Sequence, residues 1–442
     1  MDILIQASQF ILSLSILIIL HELGHMLPAK WFKTRVEKFY LFFDAGFSLF
    51  KTKKGETEYG IGWIPLGGYV KIAGMIDESM DKEQMKKDPE PWEFRSKPTW
   101  QRLIIMIGGV TVNLILGFVI YIMILFVWGS DYLPNDSVQY GAHLSHESFK
   151  SFGFEEGDLI VQVNGNQVEE FGDAEKKIII DGDREITIKR NNELKTIVLN
   201  DSIVEQLLKL KVRGIFSEPR FPNVIDSVIT DLPANKAGLQ KGDSIIAINN
   251  VSLSFFNDFK KEIQSHTSKE VDIHYYRDGI MKTSSVIVNE NGQIGYYPKT
   301  PLNYFDYQHK EYGFFEAIPS GISEGATTLG NYVKSLSLIF NKEGAKQIGG
   351  FGTIGGLFSK QWNWRIFWER TALLSIILAF MNILPIPALD GGHVLFLISE
   401  MITGRPPSDK FLTRAQIVGM TLLFTLLIYA NGMDIYRWIV SP

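Results

Sequence analysis

The chain contains no cysteine. That excludes disulfides and thiolate metal sites, leaving histidine, aspartate and glutamate as the ligand supply. An excess of either charge is missing too. The net charge is −5 over 442 residues and no basic cluster stands out, which argues against a nucleic-acid partner. Charge is absent from whole stretches: Ile3 to Leu20 carries no ionisable side chain. At about 1.5 Å per residue, a helix of that length nearly crosses a bilayer core. The N-terminus lacks the basic region of a secretory signal, since Met1-Asp2 leads it, and no small-residue cleavage motif follows. The run therefore reads as a membrane helix.

What ends this run is its most informative feature. His21-Glu22-Leu23-Gly24-His25 brings two imidazoles and a carboxylate into five positions directly after the apolar stretch. Ionisable groups at membrane depth are costly and usually functional. Histidines four apart share one helical face and can grip one metal, with the intervening glutamate as general base, so H-E-x-x-H here points to a zinc protease working within a membrane.

Long apolar runs at both ends enclose a polar middle. Four spans are expected: about 3–27, stopping at Pro28; 103–128; 371–399, interrupted by Pro385 and Pro387; and about 415–430. Lys30, Lys33, Arg35 and Lys38 follow the first span, Lys97 and Arg102 precede the second, and Arg405, Lys410 and Arg414 separate the last two. By the positive-inside rule these loops are cytoplasmic and the long insert faces outward, although Arg365 and Arg370 run against that pattern. Residues 36–72 alternate in strand fashion and predict a small antiparallel sheet beside the active-site helix. Its edge could pair with an extended substrate or be purely structural. Residues 74–100 read as a solvated loop, 314–340 as a surface-packed helix, and the glycine-rich 348–356 as a bend.

The insert holds an imperfect repeat. Gly157-Asp158-Leu159-Ile160-Val161-Gln162-Val163-Asn164 returns as Gly242-Asp243-Ser244-Ile245-Ile246-Ala247-Ile248-Asn249, offset by 85 positions. The second copy follows Ala237-Gly238-Leu239, and the combined run resembles PDZ domains attached to bacterial proteases. Such a pair could hold extended peptides or act as a steric filter. The expected boundaries are 1–128 for the first two spans with the sheet, 129–213 and 214–300 for the PDZ-like domains, 301–365 for a connector, and 366–442 for the last two spans.

A hydrolytic zinc site typically needs a third protein ligand. Asp390, in Asn382-Ile383-Leu384-Pro385-Ile386-Pro387-Ala388-Leu389-Asp390-Gly391-Gly392-His393, is the acidic residue of an otherwise apolar stretch. An unpaired buried carboxylate is costly unless protonated or metal-bound. His393 is a competing candidate. His143 and His146 form an H-x-x-H that reads as solvated.

H-E-x-x-H, the doubled insert and N-x-x-P-x-P-x-L-D-G-G together resemble bacterial site-2 proteases of the RseP type. Ile64-Pro65-Leu66-Gly67-Gly68-Tyr69-Val70-Lys71, Trp100-Gln101-Arg102 and Asn113 support the likeness. Gly108-Gly109-Val110 and Gly350-Phe351 depart from the family pattern without touching the ligands. The resemblance implies a polytopic α-helical membrane protein: four transmembrane helices, a membrane-associated β-hairpin sheet and two extracytoplasmic PDZ-like α+β domains. It implies zinc held by His21, His25 and Asp390, with Glu22 as general base and Asn382 bonding substrate backbone. It also implies the bacterial inner membrane as the setting, and pre-trimmed single-pass proteins, such as anti-sigma factors, and signal-peptide remnants as substrates.

Overall fold

A computed structural model describes residues 2–65, 67–75, 88–212, 214–339 and 349–440. Leu66 of the glycine-rich motif, residues 76–87 of the expected loop, Phe340 and Ile348 lie outside them. The chain forms two compact units, one of Met1–Gly129 with Glu311–Pro442 and one of Ser130–Lys310.

In the first unit, α1 (Asp2–Trp31), α2 (Thr99–Trp128), α5 (Trp364–Ile383) and the greater part of α7 (Asp409–Val440) are long and apolar enough to cross a membrane. Between α2 and α5 come α3 (Phe314–Ile339) and the short α4 (Phe351–Gly355); α6 (Asp390–Thr403) follows α5. Helix α2 is the hub, packing against α1, α3, α5 and α6. Buried hydroxyls join the helices, as expected where burying apolar surface gives no net drive between them. Thr371 Oγ1 donates to Ser13 Oγ at 2.9 Å, and Ser375 Oγ donates to the Asn113 carbonyl at 2.6 Å.

The expected stop at Pro28 is not observed, since α1 continues to Trp31. Proline in a helix interior leaves the carbonyl four residues earlier without its donor. That carbonyl belongs to Gly24, and a side-chain carbon built on Gly108 of α2 would collide with its oxygen. One Cα hydrogen of Gly108 therefore points at the carbonyl that Pro28 leaves unpaired, a weak C–H···O contact. The reverse approach is equally close, with a Cβ on Gly24 falling 2.5 Å from Gly108 O.

Strands β1 (Val36–Leu41), β2 (Phe50–Lys54), β3 (Thr57–Ile61) and β4 (Tyr69–Ile72) form one sheet in the order β2-β3-β1-β4. It is mixed rather than antiparallel: β3 runs parallel to β1, while β4 is antiparallel to it, with Tyr40 opposite Tyr69. The β2–β3 hairpin places its second strand against β1, and the side chains explain why. Thr57 is buried and donates to the Val36 carbonyl at 2.9 Å, whereas every residue of the lysine-rich β2 is exposed. Lysine suits an edge strand because it discourages further pairing. The opposite edge, β4, pairs only with β1 among the described strands.

In the second unit, β5 (Leu159–Val163), β6 (Asn166–Gln167), β7 (Glu185–Arg190) and β8 (Glu193–Val198) pair in the order β8-β7-β5-β6. Strands β9 (Ser244–Ile248), β10 (Val251–Ser252), β11 (Glu270–Arg277) and β12 (Ile280–Ile287) repeat that order as β10-β9-β11-β12. The repeated Gly-Asp has a structural purpose. Asp158 and Asp243 are fully buried and each takes two bonds from an arginine, Arg190 and Arg277, with nitrogen–oxygen distances of 2.7 Å. The repeated asparagines, Asn164 and Asn249, take positive φ at the turn and accept from the backbone N–H of Glu185 and Asp272. Each sheet covers its own apolar core.

Candidate metal centre

Helical spacing puts His21 and His25 one above the other on α1, with ring centroids 4.8 Å apart and planes at 81°. Asp390 reaches them from the first position of α6. The chain leaves α5 at Ile383, turns through Pro385 and Pro387, and restarts as helix at Asp390. Ala388 takes φ 90°, a conformation costly for a residue with a Cβ, just before the carboxylate is presented. Gly391 and Gly392 admit the close return: a Cβ on Gly392 would fall 2.6 Å from Ile386 O.

The three side chains converge. His21 Nε2 lies 3.2 Å from Asp390 Oδ2, His25 Nε2 lies 3.4 Å from the same oxygen, and the two Nε2 atoms are 3.2 Å apart. Asp390 Oδ2 is buried and makes no geometrically sound hydrogen bond. Donor atoms about 2.0–2.1 Å from a tetrahedral ion sit about 3.3–3.4 Å from one another. The observed separations match that, and an imidazole–imidazole–carboxylate set without thiolate suits zinc. These residues fit the metal.

Their neighbours orient the lone pairs. His25 Nδ1 lies 2.8 Å from the Ile105 carbonyl, so Nδ1 carries the proton and Nε2 faces the centre. The Asn113 amide lies 3.3 Å from His21 Nδ1, while its own Oδ1 is buried without a partner. Turning that amide brings Oδ1 to the protonated Nδ1 of His21 and directs His21 Nε2 inward in the same way. Asn382, on the last turn of α5, has Nδ2 3.4 Å from His21 Nε2. The backbone N–H of Val70, in β4, lies near the Glu22 carboxylate. Gly68 lies alongside, where a Cβ would sit 3.6 Å from Glu22 Cγ. The β4 edge thus runs past the glutamate.

His393 does not join the His21–His25–Asp390 group, which comprises those three residues among the described ones. His143 is half-buried, with Nδ1 3.1 Å from Glu156 Oε2, and Asp258 lies close to both. His146 instead accepts from the backbone N–H of Ser148. Gly109, expected to stand clear of these side chains, does not: a Cβ built there would fall 2.6 Å from His21 Cε1, so only a bare glycine lets α2 press against both imidazoles. The roles of Asn113 and Ile105 were not read from the sequence. Asn113 carried a signal as an amide within an apolar span, whereas a backbone carbonyl carries none.

The sequence pattern of Peptidase family M50 matches residues 9–426. The chain belongs to that family. This M50 peptidase is similar to a zinc metalloprotease of Borreliella burgdorferi, 29% identical over 96% of both chains. It is also similar to a zinc metalloprotease of Vibrio cholerae, 27% identical over 99% of both. A third relative, the regulator of sigma E protease of Haemophilus influenzae, is 26% identical over 99% of this chain and 100% of its own. The protein is a site-2 type metalloprotease whose cofactor is zinc, and its apolar helices make it a membrane protein.

Proposed function

We propose that His21, His25 and Asp390 are the protein ligands of the zinc, that Glu22 is the general base, and that the enzyme cuts membrane-spanning segments of pre-trimmed single-pass proteins. The observation that carries this reading is the convergence of three metal-binding atoms within 3.4 Å of one another among apolar helices. Zinc bound there supplies Lewis-acid polarisation of the scissile carbonyl and acidifies water. Glu22 takes the proton of the attacking water and returns it to the leaving amine. A helical substrate hides its peptide bonds and must unwind locally. The open β4 edge, beside Glu22, receives the extended segment by strand addition. Asn382 holds its backbone near His21.

The name of the Haemophilus relative supports anti-sigma-factor-like substrates, with signal-peptide remnants as a second group. The two repeats within Ser130–Lys310 serve as PDZ-like modules that exclude bulky ectodomains. The lysines and arginines after α1 and before α2 favour the bacterial inner membrane with those loops cytoplasmic and the repeats outside.

The test uses purified protein in lipid with a single-pass reporter. Glu22→Gln should keep its zinc, measured by elemental mass spectrometry, while cleavage falls by about 10²-fold or more. Asp390→Ala should lose both. Wild-type cleavage by the first variant would remove Glu22 as base, and full zinc in the second would remove Asp390 as ligand. Comparing membrane proteomes of wild type and Glu22→Gln then identifies substrates as trimmed proteins that accumulate in the variant.

A further inference from the structure

The last strand of the first repeat, Phe216–Pro219, pairs only with Ala142–Leu144 among the described strands, so one of its edges is open to further pairing. Phe216 turns its backbone N–H towards that edge. The residue before it, Ile215, faces the other way, since its carbonyl accepts the N–H of Ser145, and consecutive residues of an antiparallel strand alternate. An edge of this kind can receive an extended peptide by strand addition, and free backbone N–H groups can capture a terminal carboxylate.

Here a carboxylate of the chain itself is already in place. Glu175, in the helical turn Asp173–Lys176, is half-buried, and the backbone N–H of Phe216 lies near its carboxylate. Gly214, two residues before Phe216, leaves room for it: a Cβ built there would fall 2.5 Å from Glu175 Cγ and 3.3 Å from Cδ. What remains beside them is a void of about 10 Å³, lined by Ala174, Glu175 and Phe216 among others. That is barely enough for one water molecule. Burial pushes the Glu175 carboxyl above its ordinary range, although the Phe216 N–H acts to lower it. A solvated carboxylate at the start of a helix would not be raised.

The second repeat presents the same edge differently. Its last strand, Tyr296–Pro298, pairs only with Ile225–Val228 among the described strands, and the Gly295 carbonyl accepts from Ile229 as that of Ile215 does from Ser145. At the offset of 85, however, Lys260 takes the place of Glu175 and is exposed. The helix there carries an ammonium where the first repeat has a carboxylate. We propose that Glu175 stands in for the carboxyl terminus of a peptide and holds the first repeat shut against one. This rests on the reading of the two repeats as PDZ-like modules.

The test irradiates full-length protein in detergent with a pool of hexapeptides that end in valine and carry a photoreactive benzoylphenylalanine. One pool has a free terminal carboxylate and the other an amide. Mass spectrometry maps the adducts to Phe216–Pro219 or to Tyr296–Pro298. Wild type should give adducts on the first strand at background level. Glu175→Ala should raise them about tenfold or more with the acid pool and not with the amide, the worth of a charge-assisted hydrogen bond. Glu175→Lys, which copies the second repeat, should do the same and serves where the first variant does not fold. Wild-type adducts on Phe216–Pro219 equal to those of the variants, or an equal gain with the amide pool, would overturn the proposal. Adducts confined to Tyr296–Pro298 in every form would overturn it while sparing the modules, and adducts on neither strand would remove both.

Discussion

A methyl group at residue 109 would land on both imidazoles. A Cβ built there falls 2.6 Å from His21 Cε1 and closer still to His25 Nε2. Gly109→Ala should therefore displace the histidines, lowering zinc occupancy, at a packing cost of about 1–3 kcal/mol. Elemental analysis after gel filtration reads the first effect, and unchanged zinc and cleavage would show that α2 yields instead. In the sequence Gly109 is indistinguishable from Gly108, though one faces His21 and His25 and the other the Gly24 carbonyl. The spacing of His21, Glu22 and His25 was legible because helical periodicity is local. Asp390 stood out as an acid in an apolar stretch. The Ile105 carbonyl and the Asn113 amide could not be assigned, since which backbone or amide group meets an imidazole is decided by a helix some 80 positions away in sequence.

At the level of elements, the repeat was visible as a motif, but its Gly-Asp pairs gave no hint of their arginines. Arg277 lies 34 positions beyond Asp243 and reaches it only because β11 pairs with β9. Asp243 is fully buried, so its removal strands a guanidinium that has lost both of its bonds to that carboxylate. Asp243→Ala should cost about 3–5 kcal/mol, read from urea unfolding of the unit, and a cost within experimental error would mean that water replaces the pair. The mixed sheet was missed for a related reason. Alternation reports which residues face inward, whereas the choice of β3 rather than β2 as the neighbour of β1 depends on Thr57 meeting Val36 across the fold. Pro28 misled in the opposite direction, because its local veto on helix is answered by a glycine on another helix.

At the scale of the whole molecule, Ser130–Lys310 contains complete apolar cores of its own. Its first and last strands, Ser130–Tyr132 and Gln308–Lys310, pair with each other and bring the two ends together. A segment with adjoining ends and a private core is a candidate for independent folding. Expressed alone, it should give a cooperative thermal transition and dispersed amide resonances; a broad, non-cooperative melt would show that it depends on the rest of the chain. The candidate metal centre, by contrast, joins residues 21 and 25 to residue 390. During synthesis the two histidines leave the ribosome first and wait for their partner until most of the polypeptide has been made. On the proposed ligand set the catalyst is assembled among the last features of the molecule, and an interrupted translation product that stops short of Asp390 would carry half a metal site and no means of attacking its neighbours.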